Sequence, residues 1–153
     1  MASPNFIQNE WWGEAYITTS YTQSLVNNVW TLVEPPTFTT NGNNKGFSVP
    51  ANGRIQNDTG EDLECQVQTA WTVADSLSGG ANLMWRYRTY DGVVWSDLSN
   101  EVEQWRSGAS TNDLQDFTSQ IITIQDGHSV GLWIISNAGD ADIFRLNMNV
   151  RPT

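Results

Sequence analysis

Short apolar runs alternate with polar turn residues along the whole chain, and no long stretch carries the 3.6-residue period of an amphipathic helix. Gly, Asn, Asp, Ser and Thr recur at roughly 8- to 15-residue intervals between these runs, the habit of an all-β domain. The segment DLECQVQTAWTV shows the period of two most clearly. Leu63, Cys65, Val67, Thr69, Trp71 and Val73 fall on one face, with Glu64, Gln66, Gln68 and Ala70 mostly on the other. That pattern predicts a strand with one buried and one wetter side. In the closing run, Asp142, Phe144, Leu146, Met148 and Val150 are expected to share a face, opposite Ile143, Arg145, Asn147 and Asn149. FTSQIITIQDGHSVGLWIISN reads as strand, turn, strand. SDLSNEVEQWRSGASTNDLQDF is polar and holds either a short helical turn or a long strand connection.

Turn signals separate the pieces: Asn27-Asn28, Asn41-Gly42, Asn52-Gly53 and Thr59-Gly60. Glu34-Pro35-Pro36 stops any ladder, because neither proline donates a bond. About eight short strands result, and the fold class they predict is all-β: an antiparallel two-sheet β-sandwich. No linker divides the chain. Residues 1–20 form either an N-terminal arm or the first core strand, and residues 21–153 form the sandwich.

MWRYRTYDGVVW, residues 84–95, carries the sharpest local prediction. Asp91-Gly92 between apolar-aromatic runs signals a two-residue hairpin turn. Such a turn sets Tyr90 opposite Val93, Thr89 opposite Val94, Arg88 opposite Trp95 and Arg86 opposite Asp97. Leu83, Trp85, Tyr87, Thr89, Val94, Ser96 and Leu98 then make a core face. Met84, Arg86, Arg88, Tyr90, Val93, Trp95 and Asp97 make the outer one. Arg88 over Trp95 is a cation–π contact worth roughly 0.5–1 kcal/mol if exposed, and Arg86 can pair with Asp97. With its arginines occupied, this face is still too apolar for plain solvent. Met84, Tyr90 and Trp95 are therefore candidate oligomer or capsid contacts. Phe6, Trp11 and Trp12 join them, being costly to leave exposed.

Composition narrows the function. The 153 residues suit one domain with a real core. Seventeen acidic residues against seven basic ones give a formal charge of -10, which disfavours nucleic acid as a partner. Cys65 is the one cysteine, so no intrachain disulfide or cysteine metal cluster is expected, and it reads as a buried small hydrophobe. The first residues lack the basic-then-apolar layout of a secretion signal, and no apolar run approaches the roughly 20 residues of a membrane helix. A soluble product with no membrane partner is expected.

Eight tryptophans either fill a sandwich core and its subunit contacts or form stacking platforms for sugar. Trp105, in the polar EVEQWRSG, and Trp133 are the possible carbohydrate contacts. Candidate chemistry is thin. His128 is the only histidine and follows Asp126-Gly127, a turn sequence. The carboxylates Glu61, Asp62, Glu64, Glu101 and Glu103 are not paired by spacing for glycoside hydrolysis. Asp140 and Asp142 bring oxygen ligands close together in a loop that either holds calcium weakly or is an ordinary turn. No nucleophile elbow, zinc-protease helix or phosphate loop occurs. No catalytic residue, metal or cofactor is expected.

Two stretches carry a family resemblance. NGRIQNDTGEDLECQVQTAWTV resembles the strand after a small glycine turn in tumour-necrosis-factor/C1q-like jelly rolls. QDFTSQIITIQDGHSVGLWIISNAGDADI resembles their late hairpin, and the likeness spans roughly Val29 to Val150. Many phage virion proteins look like this, both capsid decoration proteins and fibre domains. The resemblance implies jelly-roll topology, a homotrimer and a passive, non-enzymatic role in a virion. It implies binding to the major capsid protein or other virion proteins as a decoration protein. The alternative it leaves is a head- or tail-fibre domain that binds a receptor or carbohydrate. It carries over no catalytic residue. The expectation departs from the cytokines, which are secreted or membrane-anchored, since these residues suggest neither route, and from C1q-like proteins, since no collagen repeat occurs among them.

Overall fold

The structure, a computed structural model, describes residues 11–75, 82–98, 104–106 and 114–153. Among these the chain forms twelve strand segments. In order they are β1 (Gly13–Tyr16), β2 (Tyr21–Gln23), β3 (Thr31–Leu32), β4 (Phe47–Ser48), β5 (Ile55–Asn57) and β6 (Leu63–Asp75). Then come β7 (Leu83–Tyr90), β8 (Trp95–Asp97), β9 (Gln104–Arg106), β10 (Leu114–Ile124), β11 (Ser129–Ser136) and β12 (Ala141–Pro152). The sequence pattern merged or missed several of the two- and three-residue pieces.

Two antiparallel sheets form. The first has the order β1-β12-β6-β10, with β2 continuing beside β12 where β1 stops. The second has the order β4-β5-β11-β7-β8, with β3 beside β11 and β9 beside β7. Apart from the consecutive pairs β4–β5 and β7–β8, neighbours along these orders are distant in sequence, the crossing pattern of a jelly-roll sandwich.

The core lies between the sheets. Cys65, Val67, Thr69, Trp71 and Val73 of β6 all point into it, as the period of two requires. Leu83, Trp85 and Tyr87 of β7 face them from the second sheet, and Val130, Leu132 and Ile134 of β11 extend the layer. Trp71 and Trp85 meet edge to face, with ring centroids 5.0 Å apart at 81°. Two polar clamps tie the sheets together. Trp85 Nε1 donates to Thr118 Oγ1 at 2.9 Å. The Tyr87 hydroxyl bonds Thr69 Oγ1 at 2.7 Å and the Thr118 carbonyl at 3.3 Å. Buried aromatics of this kind need such partners, because an unpaired donor in a dry interior is costly.

Two register expectations are corrected. The β7–β8 connection is not a two-residue turn: Tyr90 lies opposite Trp95 and Arg88 opposite Asp97. Asp91 is the cause. Its Oδ1 accepts the N–H groups of both Val93 and Val94 at 2.7 Å, while its own N–H reaches the Val94 carbonyl at 3.2 Å. The side chain thus builds a four-residue loop around itself. The slip is two residues, an even number, so the expected faces of β7 survive. Val94 and Ser96 are exposed, however, and of the expected core face on that side only Leu98 packs against the core.

The second correction is in β12. Its pairing with β6 shifts between Ile143 and Arg145, a β-bulge that inserts one extra residue. Ile143 is therefore buried and Phe144 points outward, the reverse of the expected faces. From Leu146 onward the expected alternation holds.

Candidate functional site

The outer faces of the two sheets differ in chemistry. On the second sheet, the outward residues of β7, β8 and β11 interlock with the loop before β3. Arg86 and Arg88 both pair with Asp97, at 3.1 Å and 2.6 Å. The Arg86 guanidinium lies 4.1 Å from the Trp30 ring centroid, and Arg88 lies 4.5 Å from that of Trp133. Trp133 meets Trp95 edge-on at 5.2 Å, Trp95 meets Tyr90 at 5.0 Å, and Arg54 covers Tyr90 at 4.7 Å. Gly131 makes room for this band, since a Cβ there would stand 2.8 Å from the Trp95 ring.

The local pairing expected for Arg88 is corrected by the same geometry. The two-residue slip moves Trp95 away from Arg88, and the guanidinium lies over Trp133 instead. The two arginine side chains are only 11 % and 16 % exposed. Their stacking occupies ring faces that a sugar would otherwise use. Tyr90, Trp95 and Trp133 are each half-buried in this network, and Met84 is half-buried on the same side of β7.

The first sheet sets three exposed apolar side chains in an otherwise mostly polar outer face. Phe117 (58 %) and Ile121 (60 %) of β10 and Phe144 (43 %) of β12 are exposed. Register sets Tyr16, Asn147, Ala70 and Phe117 side by side across β1, β12, β6 and β10. Small Ala70 makes a floor, and Tyr16, Phe117 and Phe144 stand around an open groove of about 930 Å³. Sequence reasoning missed this patch. The core side of β10 carries Thr118 and Gln120 as well as Ile122 and Ile124, so its alternation gives no clean apolar face. Phe144 was hidden by the bulge.

Trp11 packs against the core and over Gly46, where a Cβ would stand 2.7 Å from the Trp11 ring. Trp12 forms a bridge with Lys45 through backbone bonds of 2.9 and 2.8 Å. Both precede β1 directly. Phe6 lies outside the described residues, as does the Trp105 side chain, whose backbone pairs with Met84. Asp140 accepts the Leu25 N–H at 2.8 Å and Asp142 accepts the Thr22 hydroxyl at 2.6 Å, so the two carboxylates serve different contacts. Among the described residues no three His, Cys, Asp or Glu side chains converge as metal ligands. His128 sits in the turn after β10, its N–H on the Gln125 carbonyl. Burial, and then the Glu64 charge, push the Cys65 thiol up to about 11, which keeps it protonated and inert.

No protein-family model matches the chain, and no curated protein sequence matches it. Solved structures do. The Eiger TNF of S. frugiperda superposes with a TM-score of 0.58 at 11 % identity, covering 93 % of each chain. Murine APRIL gives 0.56 at 10 % identity, over 90 % of this chain and 97 % of that one. The PRD1 vertex protein P5 gives 0.54 at 15 % identity, over 91 % of this chain and 72 % of that one. The chain therefore shares the jelly-roll fold of these three proteins.

Proposed function

We propose that this protein is a non-enzymatic virion structural protein of a phage, a homotrimer that decorates the capsid by binding the major capsid protein or other virion proteins. The observation that carries the reading is the exposed patch of Phe117, Ile121 and Phe144 on one sheet face of a jelly roll. Side chains of that size, grouped on a flat sheet, mark a protein contact. Its opposite number, the Trp–Arg face with Met84, Tyr90 and Trp95, is then turned away from the trimer and available to the capsid lattice. The fold shared with the PRD1 vertex protein P5 supports a place in a virion.

A second reading is a head- or tail-fibre domain that binds a receptor or carbohydrate through Trp105 and Trp133. The aromatic band around Trp133 favours it, although Arg88 stacks on that ring. Electron microscopy of the native particle separates the two. Decoration predicts three-fold density on the capsid shell. Density confined to fibres would overturn decoration in favour of the second reading.

A further inference from the structure

The chain contains two Asn-Gly pairs, Asn41-Gly42 and Asn52-Gly53. Such a pair carries latent chemistry. With no side chain on the following residue, the glycine nitrogen can approach the asparagine side-chain carbonyl carbon. Ring closure then needs the backbone between the two residues to rotate. The two sites differ in their freedom to do so.

Asn52 is held by main chain at both ends of its side-chain amide. Its Oδ1 accepts the Phe38 N–H at 3.2 Å, and its Nδ2 donates to the Pro36 carbonyl at 3.0 Å. Asn52 and Gly53 are also the central pair of a turn closed by the Arg54 N–H on the Ala51 carbonyl at 3.3 Å. Gly53 is buried, and a Cβ there would lie 2.5 Å from the Val33 carbonyl oxygen. Rotation at this pair disturbs main chain at Val33, Pro36 and Phe38.

Asn41 and Gly42 are both exposed, and nothing lies within 4 Å of a Cβ placed on Gly42. They sit in a loop, residues 40–44, whose ends are pinned by the bridges of Thr39 with Tyr16 and of Lys45 with Trp12. Asn41 Oδ1 accepts the Asn43 N–H at 3.0 Å, a bond inside the same loop that polarises the side-chain carbonyl. Its Nδ2 donates to Glu14 Oε2 at 2.9 Å, an exposed contact between side chains. Neither bond ties Asn41 to main chain outside its own loop.

We infer that Asn41 is a site of spontaneous deamidation in the folded protein and that Asn52 is not. The Gly42 nitrogen bonds to Asn41 Cγ, the Cγ–Nδ2 bond breaks, and Nδ2 leaves as ammonia with the proton Gly42 gave up. Water then opens the cyclic imide at either carbonyl, giving aspartate or isoaspartate with no oxidation or reduction. The product sets a carboxylate against Glu14 where an amide had donated to it, so repulsion replaces a bond. Glu14 keeps its bond from Asn147 at 2.8 Å, and the Asn44 side chain keeps both main-chain bonds to Glu14, at 2.9 and 3.1 Å. The change is thus confined to the loop tip, and the fold survives the added negative charge.

The test incubates the full chain in mildly alkaline buffer, native and in urea, and follows both sites by peptide mass spectrometry with fragmentation. Trypsin cuts after Lys45 and Arg54, so Asn41 and Asn52 fall in separate peptides. In the native chain Asn41 should convert at least about ten-fold faster than Asn52, a barrier difference of about 1.4 kcal/mol. In urea the two rates should converge. Asn41→Gln should abolish conversion at that position and leave the Asn52 rate unchanged. Equal native rates, or faster conversion at Asn52, overturn the inference. A ten-fold gap that persists in urea overturns it too, because the difference then lies in the neighbouring sequence and not in the fold.

Discussion

Thr118 joins the two sheets through its hydroxyl and its carbonyl. Its Oγ1 accepts from Trp85 and donates to Asp116 Oδ2 at 2.8 Å. Thr118→Val keeps the shape and leaves the buried Trp85 N–H without a partner, at a cost of about 1–3 kcal/mol. A urea midpoint equal to that of the unaltered chain would contradict this. Asp91 offers a second residue-scale check. Hydrogen bonds from the Val94 and Val93 N–H groups hold its carboxyl below the usual carboxylate range. A carboxyl depressed on folding contributes stability above its unfolded pKa, and that contribution fades as pH falls through the folded value. The Val93 and Val94 amide resonances should therefore shift together in acid, with a midpoint below the ordinary aspartate value of about 3.9. A midpoint at the ordinary value would show that the loop is not built on Asp91. The sequence did reveal Asp91-Gly92 as a turn, yet it could not say that the side chain would take two amides and lengthen the loop.

Elements were most legible where alternation was strict. β6 and β7 were readable residue by residue, because a sheet packed on one face enforces the period of two. β12 was readable only past its bulge, since an extra residue reverses the faces with no mark in composition. β10 misled in another way: polar Thr118 and Gln120 share its buried side with Ile122 and Ile124, while Phe117 and Ile121 are exposed, so its alternation is broken on both faces. Turn glycines test the connections between elements. Gly53 has φ +82°, and a Cβ there would lie 2.5 Å from the Val33 carbonyl oxygen. Gly42 has φ +79° with nothing within 4 Å. Both alanine variants strain the backbone by about 1 kcal/mol, but Gly53→Ala must also displace main chain. Its thermal midpoint should fall clearly below that of Gly42→Ala, and equal midpoints would remove the packing argument.

For the whole molecule, the candidate site proved less legible than the fold. The arginines of the Trp–Arg face are occupied, as the sequence led us to expect, by Asp97 and by stacking, with Arg88 on Trp133 rather than Trp95. The plainer patch of Phe117, Ile121 and Phe144 arises only when β10 and β12 are placed beside β6. Joint replacement of Phe117 and Ile121 by aspartate should separate the subunits. The monomer fold should survive, because both side chains are already exposed. A variant that keeps its native mass would move the contact elsewhere on the molecule. The most direct measurement of the central claim is the solution mass of the full chain by sedimentation equilibrium. The account predicts three times the 17.1 kDa of one chain. A single species at 17.1 kDa across the concentration range would contradict it.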